Sequence, residues 1–168
     1  IAANPYQPRC NFDEEKLQEL AASIKEFGVV QPVVVRKKGR SYELVAGERR
    51  LRAAGLAGLT KVPAIVKDYD DAKMMEIALI ENIQRHDLNP IEEAQGLRRL
   101  MQEFKLTQEQ TAEKVGRSRS AVTNILRLLN LPEQVQKQII NGVLTMGQAK
   151  QLLGLPKPEQ MCEVAEAI

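Results

Sequence analysis

The strand-like patterns of this 168-residue chain stop near residue 88, and no other feature constrains its fold as strongly. Before that point, segments with a helical period alternate with short β-rich runs. After it, only short helical segments remain, separated by glycine or proline. We therefore expect an α+β domain over residues 1–87 and an all-helical domain over residues 88–168.

The first half predicts a small mixed sheet with helices around it. Two β-rich runs, PVVVRKK and SYELV, lie on either side of a turn at Lys37–Arg40, and PAIVK provides a third strand. Helical patterns precede the first strand, separate the second from the third, and follow the third. The second half opens with Asn89 as an expected N-cap, Pro90 at the first helical position and Glu92 three residues past the cap.

A helix-turn-helix pattern covers about residues 107–129 and coincides with a basic segment. Between Lys114 and Pro132 the sequence has four cations and no acid. Thr107 and Ser118 are the expected caps of the two helices, and Gly116 makes the turn. In such units the second helix enters the major groove of DNA and presents its N-terminal residues to the bases. A plain helical hairpin with a solvated polar face is the alternative.

Arg119 is the residue on that second helix that can contact guanine through both arms of its side chain. Its neighbours can reach phosphates or bases. The expected DNA contacts on this unit are Arg117, Ser118, Arg119, Ser120, Thr123 and Asn124.

The stretch AGERRLRA, residues 46–53, lies where a strand becomes a helix and indicates an anion site. Gly47 allows a sharp turn with room for a ligand, and the first N–H groups of the new helix lack partners. Arg49 and Arg50 carry planar charged groups suited to phosphate oxygens. Glu48 is also explained by the helix dipole. A solvated helix start is the alternative interpretation.

A second polar group interrupts the apolar face of the following helix. Glu81 and Asn82 offer the hard oxygen ligands that Mg²⁺ accepts beside phosphate oxygens, and Arg85 follows one turn later. An ordinary ion pair between Glu81 and Arg85 would explain two of these residues equally well.

Composition excludes several classes of function. Two distant cysteines, Cys10 and Cys162, and a single histidine, His86, argue against zinc sites and histidine-based triads. No apolar run approaches the roughly 20 residues of a membrane span, and no signal peptide is recognised, so we expect a cytoplasmic protein without a membrane partner. The first residue, Ile1, is not methionine, and we expect a fragment of a longer protein.

Four stretches together resemble the ParB family of chromosome- and plasmid-partition proteins over nearly the whole chain. These are NPYQPR at residues 4–9, GVVQPVVVR at 28–36, AGERRLRAA at 46–54 and ENIQRHDLNPIEEA at 81–94. Their order, followed by a helix-turn-helix, makes the resemblance specific. It implies a ParB/sulfiredoxin-like N-terminal domain that binds CTP (or CDP) with Mg²⁺, and a second domain that binds the centromere-like site parS.

Residue roles follow from the resemblance. The implied nucleotide-binding residues are Gln31, Gly47, Glu48, Arg49, Arg50, Asn82 and Arg85. Glu81 and Asn82 would serve the metal, and Glu81 would assist a hydrolytic water. The related nucleoid-occlusion proteins tend to carry glutamine at the position of Arg119 and arginine at the position of Gly147, so both residues resemble the partition type. Gly147 is also an expected DNA contact. Gln148 stands where histidine is common in the family.

The family's proteins are DNA clamps, so the resemblance also implies a mechanism. parS and CTP together would close the N-terminal parts of a dimer, and slow CTP hydrolysis would reopen them. The expected partners are parS and non-specific DNA, a second copy through the N-terminal domain, and a ParA-type ATPase through an N-terminal tail that this chain is expected to lack. A C-terminal dimerisation domain is likewise expected beyond residue 168, and the protein would be nucleoid-associated.

Two other functions stay open at this point. The first is a sequence-specific DNA-binding regulator, of nucleoid-occlusion or transcriptional type, whose N-terminal part is only a scaffold. The second is a nuclease or kinase on the same N-terminal fold, which the intact ENIQR stretch and the following helix-turn-helix disfavour.

Overall fold

The structure is a computed structural model that describes residues 1–5, 13–85 and 87–167. By its internal contacts the chain divides into two units, Ile1–Ala78 and Leu79–Ile168. The expected boundary between residues 87 and 88 stays a prediction. Most of the NPYQPR stretch, together with Cys10 and His86, lies outside the described residues.

The predicted fold class is confirmed, since a small mixed sheet with helices precedes a run of helices alone. The elements that begin in the first unit are α1 (Glu14–Phe27), β1 (Val33–Lys38), β2 (Ser41–Ala46), α2 (Glu48–Leu56), β3 (Ala64–Lys67) and α3 (Asp71–Ile83). The division between the units falls within α3.

The sheet has the strand order β2–β1–β3. β1 and β2 form an antiparallel hairpin in which Arg36 lies opposite Glu43, whereas β1 and β3 run parallel. Ala2 lies along the outer edge of β2, where its N–H donates to the carbonyl of Tyr42 (2.8 Å) and its carbonyl accepts from Leu44 (2.8 Å). The hairpin turn falls at residues 39–40, inside the predicted range of 37–40, because Lys37 and Lys38 belong to β1 and lie opposite Tyr42 and Ser41.

Two apolar clusters hold the first unit together. One joins α1 to α2 and contains Ala21, Ile24, Ala53 and Ala54. The other lies on the sheet and contains Val33, Val35 and Leu44, with Leu51 of α2 packed against it. Both bury α2, so the helix that carries the GERR stretch has a fixed position on the sheet.

The second unit is helical throughout its described part beyond residue 88. Its elements are α4 (Pro90–Phe104), α5 (Gln108–Val115), α6 (Arg119–Arg127), a single 3₁₀ turn (Leu128–Asn130), α7 (Glu133–Ile140), α8 (Met146–Leu152) and α9 (Pro158–Glu166). In the described part of the chain, no helix is both long enough and apolar enough to span a membrane.

The end of α3 packs closely against α4. A Cβ at Gly96 would lie 2.9 Å from Cγ1 of Ile83, so only glycine fits there without a shift of the isoleucine. Ile83 belongs to the cluster that also buries Leu97, Val115 and Val122. The ENIQR stretch is thus anchored, through Ile83, in the core of the helix-turn-helix region.

Candidate functional site

Gly47 turns the chain from β2 into α2 in a conformation that suits only glycine. Its φ is 108°, and an added Cβ would lie 2.9 Å from Cγ1 of Val33. The missing side chain therefore makes room for Val33, whereas the sequence suggested room for a ligand at this position. Among the described residues no side chain caps α2, unlike α1, α4, α5, α6 and α8. The N–H groups of its first turn are left for water or an anion.

Arg50 connects α2 to the loop that precedes β1. Its Nη1 donates to the backbone carbonyls of Gln31 (3.0 Å) and Pro32 (2.8 Å). The structure thus brings together two of the predicted nucleotide-binding residues, through the backbone of Gln31. The remaining donors of the Arg50 guanidinium stay available to a ligand.

Glu48 and Arg49 differ in their surroundings. Oε1 of Glu48 forms an ion pair with Nε of Arg52 at 2.6 Å, and its buried Oε2 has no partner in the described part of the chain. Arg49 is half-buried, and within the described residues its side chain makes no hydrogen bond or ion pair. Arg49 is therefore the arginine of the GERR stretch that is most available to a phosphate.

A buried ion cluster fixes the sheet to the start of α3. Nε of Arg36 donates to Glu43 (2.8 Å), its Nη1 donates to the carbonyl of Tyr69 (3.2 Å), and Asp71 also accepts from it. Burial alone would raise the pKa of Glu43, but hydrogen bonds from Arg36 and Lys38 outweigh it and lower that pKa. The Arg36 bond likewise lowers the pKa of Asp71.

The second unit carries the ENIQR residues beside a cavity of about 520 Å³. Arg85 forms an ion pair with Asp87, and its Nη1 lies 3.5 Å from Oδ1 of Asn82. The hydrogen bond that Arg85 donates to Asp87 raises the pKa of Arg85. Glu81 is exposed. Among the described residues, no three histidine, cysteine or acidic side chains converge as metal ligands.

The helix-turn-helix pattern is present as the sequence predicts. α5 begins with a capping box in which Thr107 and Gln110 bond reciprocally, and it ends at Gly116 with a φ of 72°. α6 then begins after Ser118, whose Oγ accepts from the N–H of Ala121 (3.2 Å). Since these caps are short-range bonds, the sequence alone was sufficient to predict them.

The expected DNA contacts lie mostly on one exposed surface. Ser118, Arg119 and Ser120 are exposed at the N-terminus of α6, and Thr123 and Asn124 are half-buried one turn later. The hydroxyl of Thr123 lies 2.7 Å from Oε1 of Gln108, so it also ties α6 to α5. No hydrogen bond or ion pair holds the side chain of Arg119 within the described residues.

Arg117 has an internal partner that the sequence did not suggest. Its Nη2 lies 2.6 Å from Oε1 of Glu93 on α4, and the Glu93 side chain is only 15% exposed. Gln84 of the ENIQR stretch donates to the carbonyl of Val115 (3.3 Å) at the end of α5. The ion pair and the hydrogen bond both hold the turn of the helix-turn-helix. No local sequence pattern indicates that Glu93 pairs with Arg117 or that Gln84 contacts Val115.

Gly147 lies exposed in the first turn of α8. That turn is closed by a capping box, in which Oε1 of Gln148 accepts from the N–H of Thr145 (2.8 Å). Gln148 therefore has a local structural role here.

Two family models account for nearly all of the sequence. The ParB N-terminal domain matches residues 1–83, and the ParB HTH domain matches residues 86–168. The chromosome-partitioning protein ParB of Myxococcus xanthus is 54% identical over 162 residues, which are 96% of this chain and 55% of the relative. Stage 0 sporulation protein J of Bacillus subtilis is 52% identical over 161 residues, 96% of this chain and 57% of the relative. The chain thus spans little more than half the length of these relatives.

Solved structures give a consistent result. C-terminally truncated ParB from Caulobacter crescentus, complexed to the centromeric parS site, is 43% identical; the match covers 98% of this chain and 87% of that one, with a TM-score of 0.82. The same protein complexed with CTP-γS is 46% identical over 98% of this chain and 93% of its own. The TM-score of that second comparison is 0.44, so its backbone supports no conclusion about this chain.

Proposed function

The chain belongs to the ParB family, and on that premise we propose that it is the CTP-binding and parS-binding part of a partition protein. One observation carries the DNA half of this proposal. The N-terminus of α6 presents Ser118, Arg119 and Ser120 to solvent, in a segment without acids. The Caulobacter relative with a TM-score of 0.82 is complexed to parS, which supports the same ligand here.

The nucleotide half rests on the start of α2. Its first-turn N–H groups are uncapped within the described residues, and Arg49 beside them has no protein partner there. N–H donors at a helix start, together with a guanidinium, are suited to a phosphate group. Family membership supports CTP, or its product CDP, as the nucleotide, and the proposed site would also include Gln31, Gly47, Glu48 and Arg50.

The residues expected to serve Mg²⁺ fit that ion in their chemistry. Glu81 offers a carboxylate and Asn82 an amide oxygen, both hard ligands of the kind Mg²⁺ takes beside substrate phosphates. Bound Mg²⁺ would neutralise charge on the phosphate oxygens. On this chain Arg85 would add a second cation, and Glu81 would accept a hydrogen bond from the water that attacks the γ-phosphate.

The proposed mechanism is that of a CTP-dependent clamp with slow CTP hydrolysis. Nucleotide and parS would each favour one of two conformations, and the N-terminal units of two copies would associate in the closed one. A protein of this kind would be found on the nucleoid, with a ParA-type ATPase as a further partner. The helix-turn-helix would provide the initial recognition of parS.

A regulator that binds DNA without nucleotide switching is the second candidate, and Arg50 favours it. Nη1 of this arginine is already occupied by the carbonyls of Gln31 and Pro32, which is what a scaffold would require. Under that alternative the GERR stretch only holds the loop before β1 in place.

Arg49→Ala separates the two functions. Loss of a hydrogen bond to a charged group costs about 1.5–3 kcal/mol, so CTP affinity should fall about tenfold or more while parS affinity is retained. Arg40→Ala, in the exposed turn between β1 and β2, is the control for charge alone and should leave both unchanged. Equal CTP affinity of Arg49→Ala and Arg40→Ala would show that Arg49 does not contact the nucleotide. A wild-type chain that recognises parS and binds no CTP would favour the regulator.

A further inference from the structure

Arg85 and Asp87 form a two-point ion pair in the segment between α3 and α4. Nε of Arg85 donates to Oδ1 of Asp87 at 2.9 Å, and Nη2 donates to Oδ2 at 2.6 Å. This parallel arrangement is the one that arginine also uses to bind phosphate. The Arg85 side chain is 32% exposed and that of Asp87 is 66% exposed, so a ligand can reach the pair from solvent.

The Nη1 group of Arg85 points away from Asp87. This Nη1 lies 3.5 Å from Oδ1 of Asn82, whereas the Nε and Nη2 donors that Asp87 occupies form a parallel pair of the kind that binds phosphate. The pair borders the cavity of about 520 Å³, a size common for small-molecule sites. The polar side chains that line it include Asn82, Arg85, Asp87, Glu92, Gln95 and Arg99.

We propose that Asp87 is a positioning residue that competes internally with the nucleotide phosphates for Arg85. This rests on the proposed function, in which Arg85 contacts the triphosphate. Without nucleotide, the carboxylate holds the guanidinium in a defined orientation; when a phosphate binds, Asp87 gives up that edge. Two anions cannot share the same pair of guanidinium donors, so a phosphate that takes the Nε and Nη2 donors displaces the carboxylate.

The size of the effect follows from the exposure of the pair. Exposed ion pairs contribute about 0.2–1 kcal/mol, which corresponds to about 1.4- to fivefold in an equilibrium constant. Asp87→Asn should therefore bind CTP about 1.4- to fivefold more tightly than the wild type. A residue with only a structural role would lower stability and leave the affinity unchanged or weaker.

Glu92→Gln is the matched control. Glu92 lines the same cavity, and its Oε2 accepts from the N–H of Asn89 (3.0 Å), a bond that the amide oxygen of glutamine can keep. The variant removes the same charge from the same cavity without removing the carboxylate that holds Arg85. If the loss of one negative charge from the cavity were the cause, both variants would bind CTP more tightly to the same extent. The proposed competition raises the CTP affinity of Asp87→Asn only.

The experiment is a calorimetric titration of the whole chain with CTP and Mg²⁺, with parS affinity measured on each variant to verify folding. We expect tighter binding by Asp87→Asn, little change in Glu92→Gln, and no gain when Asp87→Asn is added to Arg85→Ala. Equal gains in Asp87→Asn and Glu92→Gln, or no gain in either, would overturn the competition and leave the proposed function standing. If the wild type and Asp87→Asn both fail to bind CTP, the proposed function and the competition are both wrong.

Discussion

Replacing Gly47 by alanine should destabilise the first unit by a net amount of about 1–5 kcal/mol. A positive φ costs a residue with a Cβ about 1–2 kcal/mol, and here φ is 108°. The new Cβ would also lie 2.9 Å from Cγ1 and 3.2 Å from Cβ of Val33, whose side chain is 0% exposed. Overpacking of this kind costs about 1–3 kcal/mol, and the lower entropy of the unfolded chain offsets about 0.4–1 kcal/mol.

Gly58→Ala separates the cost of the backbone conformation from the cost of crowding Val33. Gly58 also has a positive φ, 78°, but a Cβ there would meet nothing within 4 Å. Its substitution should cost only about 0–2 kcal/mol, because the backbone term alone remains. Val33→Ala should remove the contact with Cγ1, the closest of the Val33 atoms, so that the Gly47→Ala, Val33→Ala double variant is less destabilised than the sum of the single variants by up to about 3 kcal/mol.

Urea unfolding followed by far-ultraviolet circular dichroism measures these free energies, since the chain has no tryptophan. Hydrogen exchange of peptides from residues 33–56 assigns the loss to the first unit. Equal losses in Gly47→Ala and Gly58→Ala, with an additive double variant, would refute the close approach of Gly47 to Val33.

Three further predictions concern other parts of the molecule. Arg119→Ala should weaken parS binding about 5- to 150-fold in fluorescence anisotropy, with little change for random DNA, because base contacts are lost and phosphate contacts remain. The lowered pKa of Glu43 stabilises the folded state above its ordinary value of 4.5, and that stability is lost as pH falls through the folded value; Glu43→Gln should flatten the dependence of the unfolding free energy on pH below about pH 5. Gly96→Ala should cost the second unit about 0–2 kcal/mol, because its Cβ would crowd Ile83.

Each of these predictions has a contradicting result. Equal weakening of parS and random DNA by Arg119→Ala would make Arg119 a phosphate contact only. If Glu43→Gln leaves the pH dependence of the unfolding free energy unchanged, the ion cluster around Arg36 does not cause the loss of stability at low pH. Gly55→Ala in α2, where nothing lies within 4 Å of the added Cβ, should stabilise by about 0.5–1 kcal/mol; an equal gain in Gly96→Ala would contradict the contact with Ile83.

Local signals predicted much of this structure. The caps at Asn89, Thr107 and Ser118 and the turn at Gly116 are confirmed, because each depends on bonds within a few residues of the chain. The fold class is confirmed for a similar reason, since hydrophobic period distinguishes strand from helix before any tertiary contact forms.

Side-chain partners at longer range could not be predicted. The sequence predicts Arg50 and Arg117 only as contacts to phosphate and to DNA. In the structure, Arg50 donates to the carbonyl of Gln31, 19 residues away, and Arg117 pairs with the carboxylate of Glu93. Those pairings depend on how the elements pack, which no local pattern determines. For the same reason the sequence did not reveal that Val33 fills the space beside Gly47.

The most direct test of the central claim is a calorimetric titration of the chain with CTP, ATP, GTP and UTP in the presence of Mg²⁺, with and without a parS duplex. We expect that only CTP binds, through the arginines at the start of α2, and that parS changes the affinity or the enthalpy of that binding. Binding of none of the four nucleotides by a chain that still recognises parS would contradict it.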